Sequence, residues 1–277
     1  MPTPPIRLVA TDLDGTLLRS DATVSARTRK VLRDLRDRAV RHVIVTGRPS
    51  AGCVSLFRSL SYRGLAVCGQ GAQIYDADRE ILMSWRELDR DVARAFVGQL
   101  VARIGQVYLA VVTSGHRAEF VITPGFTRGD EQELAPFRAV PGTELWADPI
   151  DKVLLRHEAL SDADLVAEAA ACCLPGLVVT HAGPGIVELI PSGFDKATGL
   201  SRVAEAYGIS AAEVVAFGDM PNDIPMLAWA GRGIAMSNGH PELKTVADEI
   251  APGNDEDGLA VALDRLLDAA GHTRALK

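Results

Sequence analysis

The chain has 277 residues, 47% of them apolar and 23% charged, which is more than one hydrophobic core usually organises and excludes both a peptide-sized fold and a chain disordered throughout. Its 29 Lys and Arg stand against 36 Asp and Glu, a net charge of −7, so it lacks the basic footprint of a nucleic-acid binder. A phosphorylated ligand would need a local positive site that this balance does not supply.

The first residues, MPTPPIRLVATD, hold too short an apolar run for a signal-peptide core. The longest stretch free of Asp, Glu, Lys and Arg, 169–187, is interrupted by Pro175, Gly176, Gly183, Pro184 and Gly185 and cannot form a spanning helix. The expected setting is cytoplasmic, with no membrane partner. Residues 6–11, 42–46 and 65–68 are short apolar runs that end at a Gly or a polar turn, the pattern of buried parallel strands. Between the first two, Val24, Thr28, Val31, Leu32, Leu35 and Ala39 recur at helical spacing and complete a βαβ unit.

From about residue 85 to 188 the pattern changes. A helical stretch at 88–104 precedes two alternating runs, 106–112 and 117–122, joined by Ser114-Gly115 as in a hairpin. Then come KVLLRHE at 152–158, a helix-like 162–173, and two runs, 177–181 and 186–190, around a Gly-Pro-Gly turn. Beyond these, 214–217 and 233–235 are again short apolar runs, separated by a helical 224–230, and 197–207 and 258–269 read as helices. The expected fold is α/β, a Rossmann-like doubly wound parallel sheet built from 1–83 and 190–277, interrupted by an inserted α+β cap at 84–189.

Cys53, Cys68, Cys172 and Cys173 include no Cys-x-x-Cys pair and read as buried thiols, with metal or redox use of the adjacent Cys172 and Cys173 as the alternative. The six histidines, His42, His116, His157, His181, His240 and His272, show no metal-ligand spacing. Gly69-Gln70-Gly71 follows a strand but lacks the third glycine of a dinucleotide loop.

The sharpest local feature is Asp12-Leu13-Asp14-Gly15-Thr16-Leu17-Leu18, directly after the first strand. In an open α/β sheet ligands bind outside the carboxyl ends of the strands, so both carboxylates can enter that crevice, where a hard cation would offset their repulsion. A solvated turn or helix cap is the plainer reading of the same residues. A second acidic group, Gly218-Asp219-Met220-Pro221-Asn222-Asp223, follows the strand VVAF. If the two strands share a sheet, Asp12, Asp14, Asp219 and Asp223 converge, and oxygen-only ligation favours Mg²⁺ over Zn²⁺. Thr46-Gly47-Arg48 after the second strand and Lys196 before a helix supply a hydroxyl, a backbone N–H and an ammonium, the parts that hold phosphate oxygens.

Taken together, DLDGTLL, TGR, Lys196 and GDMPNDIPML resemble, in order, the four motifs of the haloacid-dehalogenase-like phosphohydrolases, and the insert between TGR and Lys196 resembles the large cap of their Cof-type subfamily. IAMSNGHPELKTVAD and DGLAVAL are similar to that subfamily as well. One departure is Gln70-Gly71-Ala72, where the subfamily usually has Asn-Gly-Ala. The resemblance implies that Asp12 is the nucleophile that forms an aspartyl-phosphate and that Asp14 is the general acid and then the general base. It implies Mg²⁺ held by Asp12, the main-chain carbonyl of Asp14 and Asp219, with Asp223 close by directly or through water. Thr46 and Lys196 would bind the phosphoryl oxygens within the Thr46-Gly47-Arg48 segment and at the helix start, Asn222 would help at the phosphate, and Arg48 would face the substrate. The cap would select the leaving group; Trp85, Tyr108, Arg117, Phe120, Lys152 and Arg156 are candidates by residue type only, packing or surface roles are the plainer reading for most of them, and none is named as a site.

The expected activity is a Mg²⁺-dependent phosphatase acting on small phosphorylated metabolites such as sugar phosphates or related cofactors. The alternatives are a phosphotransferase or phosphomutase on the same scaffold, or a non-catalytic phosphometabolite-binding protein, against which the second carboxylate, Asp14, speaks. A monomer and a homodimer are equally compatible with the sequence.

Overall fold

The computed structural model describes residues 4–115, 118–126, 137–172, 174–183 and 185–269. His116, Arg117, Cys173 and His272 lie outside the described residues.

The chain begins with β1 (Leu8–Thr11), α1 (Ala26–Asp37), β2 (Arg41–Ile44), α2 (Ser50–Ser59), β3 (Leu65–Cys68), β4 (Gln73–Asp76) and β5 (Ile81–Ser84). Ser25 caps α1, its hydroxyl accepting from the Thr28 N–H. The helix ends at Asp37, so Ala39, expected on its apolar face, instead sits beyond it at φ 58°. The middle of the chain forms α3 (Arg90–Ile104), β6 (Tyr108–Thr113), β7 (Phe120–Ile122), β8 (Phe137–Ala139), β9 (Ile150–Arg156), α4 (Asp162–Ala171), β10 (Leu177–Gly183) and β11 (Ile186–Pro191). The last part supplies α5 (Lys196–Ala206), β12 (Val214–Gly218), α6 (Ile224–Trp229), β13 (Arg232–Met236), α7 (Pro241–Val246), β14 (Glu249–Ala251) and α8 (Gly258–Ala269).

Five strands from the two ends of the chain pair in parallel in the order β14-β13-β12-β1-β2. The central strands β1 and β12 are buried along their whole length, and their side chains alternate between two cores. Val9 packs with Val31, Leu35, Leu259 and Leu263 on the side of α1 and α8. Leu8 and Ala10 pack with Leu200, Val203, Met226 and Leu227 on the side of α5 and α6. The sheet is therefore wound on both faces, as the apolar runs predict.

The third expected parallel strand behaves differently. β3 pairs antiparallel with β4 along its whole length, in a separate three-stranded sheet β3-β4-β5, and is joined to the residue just after β2 by one isolated parallel bridge, Val45 to Val67. The reason lies in the next three residues: Gly69, Gln70 and Gly71 all take positive φ, and this reverses the chain so that Gln73 returns beside Cys68.

Residues between Tyr108 and Pro191 build a six-stranded sheet, β10-β11-β9-β6-β7-β8, antiparallel except for β7 with β8. Both expected hairpins, β6–β7 and β10–β11, are present. One face is covered by α3 and α4, with Phe96, Leu100, Leu165 and Ala169 against Val111, Val153, Leu155, Val187 and Leu189. The opposite face carries Ala110, Val112, Phe120 and Leu154. Period-2 alternation sends Lys152 and Glu188 to that same face. Among the described residues no helix is long and apolar enough to cross a membrane.

Candidate active site

β1 and β12 are neighbours in register, Thr11 beside Phe217, so the residues that follow them emerge side by side at the carboxyl edge of the sheet. This brings Asp12, Asp219 and Asp223 together: each offers a carboxylate oxygen, all within 4.8 Å of one another, and all three residues are buried. Lys196, the first residue of α5, enters from the side. The residue is 2% exposed, and its Nζ donates to Asp12 Oδ1 and to Asp223 Oδ1, both at 2.6 Å. Local chemistry fixes its direction, because Asp195 caps α5 in a capping box with Thr198 and holds the first turn in place.

Each carboxylate has a distinct set of partners. Asp223 Oδ2 accepts from the Asp219 and Met220 N–H groups at 3.0 Å, so with Lys196 on Oδ1 both of its oxygens are engaged in shaping the loop. Asp219 Oδ1 accepts from the Thr16 hydroxyl at 2.8 Å. Gly15 lies at φ +78°, and a Cβ there would stand 2.3 Å from Asp219 Oδ2, so only glycine keeps that side of the cradle open. The amide of Asn238 donates to the Gly15 carbonyl at 2.9 Å and fixes the same turn.

Three buried carboxylates against one ammonium leave excess negative charge. Burial pushes the Asp12 carboxyl well above the usual carboxylate range; Lys196 opposes that shift, whereas Asp223, Asp219 and Asp14 add to it. Burial and then repulsion from Asp223 push Asp219 up to about 7, with the Thr16 hydroxyl and Lys196 pulling the other way. Burial works against the charge on Lys196, but Asp12 and Asp223 outweigh it and raise its pKa. An all-oxygen cluster with unbalanced negative charge and a glycine-lined gap fits a hard divalent cation such as Mg²⁺. No histidine or cysteine belongs to this cluster among the described residues.

The other expected residues are placed around this centre. Thr46 is buried in the loop after β2, its hydroxyl accepting from the Arg48 N–H at 3.1 Å. Asp14 stands outside the buried cluster with its side chain half exposed, and Arg48 grips it with two donors, Nε to Oδ2 at 2.8 Å and Nη2 to Oδ1. Gly47 turns its carbonyl to Lys152 Nζ at 2.8 Å. The Asn222 amide nitrogen donates to the His181 carbonyl at 3.2 Å, which ties the loop after β12 to β10, and its Oδ1 is buried without a donor among the described residues. A cleft of about 300 Å³ runs between β10–β11 and the start of α5, lined by Gln70, Val178, Thr180, Phe194, Lys196 and Asn222.

Of the residues singled out by type alone in the middle segment, Phe120 is buried in the sheet core, Arg156 stacks over the Phe126 ring at 5.2 Å, and Trp85 is half exposed on the surface. Lys152 is the exception, for it is buried and paired with Glu188 at 2.5 Å. Thr16 lies within DLDGTLL and Asn238 within IAMSNGHPELKTVAD, but neither is among the expected site residues, and Glu188 carries no motif that marks it. The one available signal for Glu188 is a lone charge inside the buried run IVELI. Cys53, Cys68 and Cys172 are free and buried.

Comparison with known proteins agrees with this geometry. Residues 9–263 match the family described as haloacid dehalogenase-like hydrolase. The 5-amino-6-(5-phospho-D-ribitylamino)uracil phosphatase YcsE of Bacillus subtilis is 31% identical, over 93% of this chain and 94% of its own. The HMP-PP phosphatase of Serratia proteamaculans is 28% identical over 88% of each chain. The crystal structure of a haloacid dehalogenase-like hydrolase from Bacteroides thetaiotaomicron superposes with a TM-score of 0.77 at 29% identity, covering 94% of this chain and 99% of that one. A sheet-edge aspartate cluster braced by a buried lysine, in a chain that matches this family from β1 to α8, places the protein among the haloacid dehalogenase-like hydrolases, as an enzyme of phosphatase type.

Proposed function

We propose that this enzyme hydrolyses phosphate monoesters of small metabolites with Mg²⁺ and an aspartyl-phosphate intermediate. The observation that carries the reading is the buried set of Asp12, Asp219 and Asp223 around Lys196, at the carboxyl ends of two adjacent parallel strands. Asp12, Asp219 and the main chain at Asp14 would hold the metal, with Asp223 beside them. When bound, the cation offsets the repulsion between a carboxylate nucleophile and a phosphate dianion.

The residues of the chain then divide the work. An Asp12 oxygen attacks phosphorus as the bond from phosphorus to the leaving oxygen breaks, and Asp14 hands its proton to that oxygen. Water next attacks the phosphorus of the aspartyl-phosphate, Asp14 takes up the proton released, and Asp12 is regenerated with free phosphate. Lys196, already aimed at Asp12, and Thr46 with the Gly47 backbone supply fixed donors for the phosphoryl oxygens. Arg48 donates to both Asp14 oxygens, so Asp14 frees one of them to carry the proton to the leaving oxygen while the other contact orients it. Residues 84–189 are proposed as a cap inserted between two core parts, 1–83 and 190–277, that covers the cleft and selects the leaving group. The names of the two phosphatases above support substrates of small-metabolite size.

Substituting Asp12→Asn tests the assignment. Turnover of p-nitrophenyl phosphate with Mg²⁺ should fall roughly a thousandfold or more while the circular dichroism spectrum is kept. Appreciable residual turnover would refute Asp12 as the nucleophile.

A further inference from the structure

Gln70 has an unfavourable backbone: φ 55° and ψ 34°, the left-handed region. Asn and Asp tolerate that region better than other side chains, so a glutamine there costs more than an asparagine would. The extra methylene has a visible use. Gln70 Nε2 reaches across to Glu188 Oε1, in β11 of the six-stranded sheet. Glu188 Oε2 accepts from Lys152 Nζ at 2.5 Å, and the same Nζ donates to the Gly47 carbonyl at 2.8 Å. The ring closes because the Gln70 amide lies directly over Gly47, where a Cβ would stand 2.6 Å from Nε2.

All three side chains are buried, Gln70 at 2%, Lys152 at 6% and Glu188 at 0% exposure. Replacing such a buried ion pair by apolar residues of similar size is often neutral or stabilising, so stability alone does not account for it. Its attachment points are informative. Gly47 lies between Thr46 and Arg48, and the same segment is stitched to the loop after β3 by Gln70 N–H to Thr46 O at 3.1 Å and Gly69 N–H to Arg48 O at 2.8 Å. A second strut holds the far end: Gln73 accepts from the Ser50 N–H at 2.8 Å and donates to Asp151 at 2.6 Å, the residue next to Lys152.

We propose that Gln70, Lys152 and Glu188 are positioning residues, a ring that makes docking of the six-stranded sheet and the placement of Thr46-Gly47-Arg48 one event. The ring acts through the Gly47 carbonyl; Gln70 also lines the cleft, whereas Lys152 and Glu188 are not among its lining residues, so the paired variant of those two reads positioning without a cleft contact. The proposal rests on the phosphatase reading above, since it is the phosphoryl group that this segment receives.

The variant Gln70→Asn separates positioning from stability. It relieves the backbone, which offsets the cost of leaving the buried Glu188 Oε1 without its donor, so the Tm should shift by no more than about 5 °C while kcat on p-nitrophenyl phosphate falls about tenfold, with the inhibition constant of orthovanadate rising in step. In the paired variant Lys152→Met with Glu188→Leu, the buried charges leave together; the fold should persist, and kcat should drop similarly. If both variants keep kcat and the vanadate constant within about twofold of wild type, the ring is only structural and the proposal fails. If in Gln70→Asn the Tm falls by more than about 10 °C together with kcat, a structural role again replaces it. Asp12→Asn measured beside them keeps the two readings apart, because residual turnover there would remove the phosphatase mechanism whatever the ring variants do.

Discussion

Arg48 holds Asp14 in a fork: Nε meets Oδ2 at 2.8 Å and Nη2 meets Oδ1, joining the loop after β2 to the loop after β1. Both side chains are partly exposed, at 30% and 52%. Such a pair contributes only about 0.2–1 kcal/mol to stability, so its value lies in orientation. Arg48→Ala should lower kcat/KM about tenfold and leave the Tm within a few degrees. Arg48→Lys should restore little, because an ammonium cannot grip two oxygens in a plane. Full activity in Arg48→Ala would show that Asp14 orients itself.

Gly15 is constrained twice, by φ +78° and by Asp219 Oδ2 at 2.3 Å from its missing Cβ. Gly15→Ala should destabilise the protein by more than about 1 kcal/mol and displace Asp219. Calorimetric titration with Mg²⁺ should then show affinity reduced at least about tenfold, the loss expected when a ligand's support is removed. Wild-type affinity would mean that Asp219 does not hold the ion.

The raised Asp219 carboxyl sets a pH dependence whose sign can be worked out. Its folded pKa of about 7 lies above the ordinary value of 3.8, so the metal-free fold retains a proton that the unfolded chain has already released. The resulting stabilisation is complete below about pH 4 and is lost as pH rises through 7. A cation needs the ionised form, so the Tm increase produced by Mg²⁺ should grow from pH 5 to 7 and level off above that. An increment equal at pH 5 and pH 8 would contradict the arrangement.

Lys196 is the buried counter-charge for Asp12 and Asp223. Lys196→Met removes it and leaves those carboxylates facing each other, at a cost of about 3–5 kcal/mol near pH 7.5. Chemical denaturation at pH 5 should show a smaller deficit, because burial raises the Asp12 carboxyl and its protonation relieves the repulsion. A deficit independent of pH would mean that the lysine serves packing rather than charge.

Much of the core was legible from local pattern. Short apolar runs ending in Asp or Gly mark β1, β2 and β12, helical spacing marks α1 and α8, and Asp12, Asp219 and Asp223 stand at strand ends, where an open sheet places its ligands. β3 misled because its composition fits a parallel strand; its partner was chosen by the reversal at Gly69, Gln70 and Gly71, whose conformation a sequence pattern does not display. Phe120 and Arg156 pack, the plainer reading of their type, but residue type alone is silent about which face of a strand meets a neighbour.

What the sequence by itself determined, then, was the alternation of strands and helices, the acidic loops and the family, all of which depend on residues close together in the chain. Only the tertiary structure decided that Lys196 sits between Asp12, 184 positions away, and Asp223. It alone set Arg48 on Asp14 and carried Gln70 to Glu188 across 118 positions. Such contacts follow from strand order, register and the docking of one sheet against another, which no local periodicity encodes.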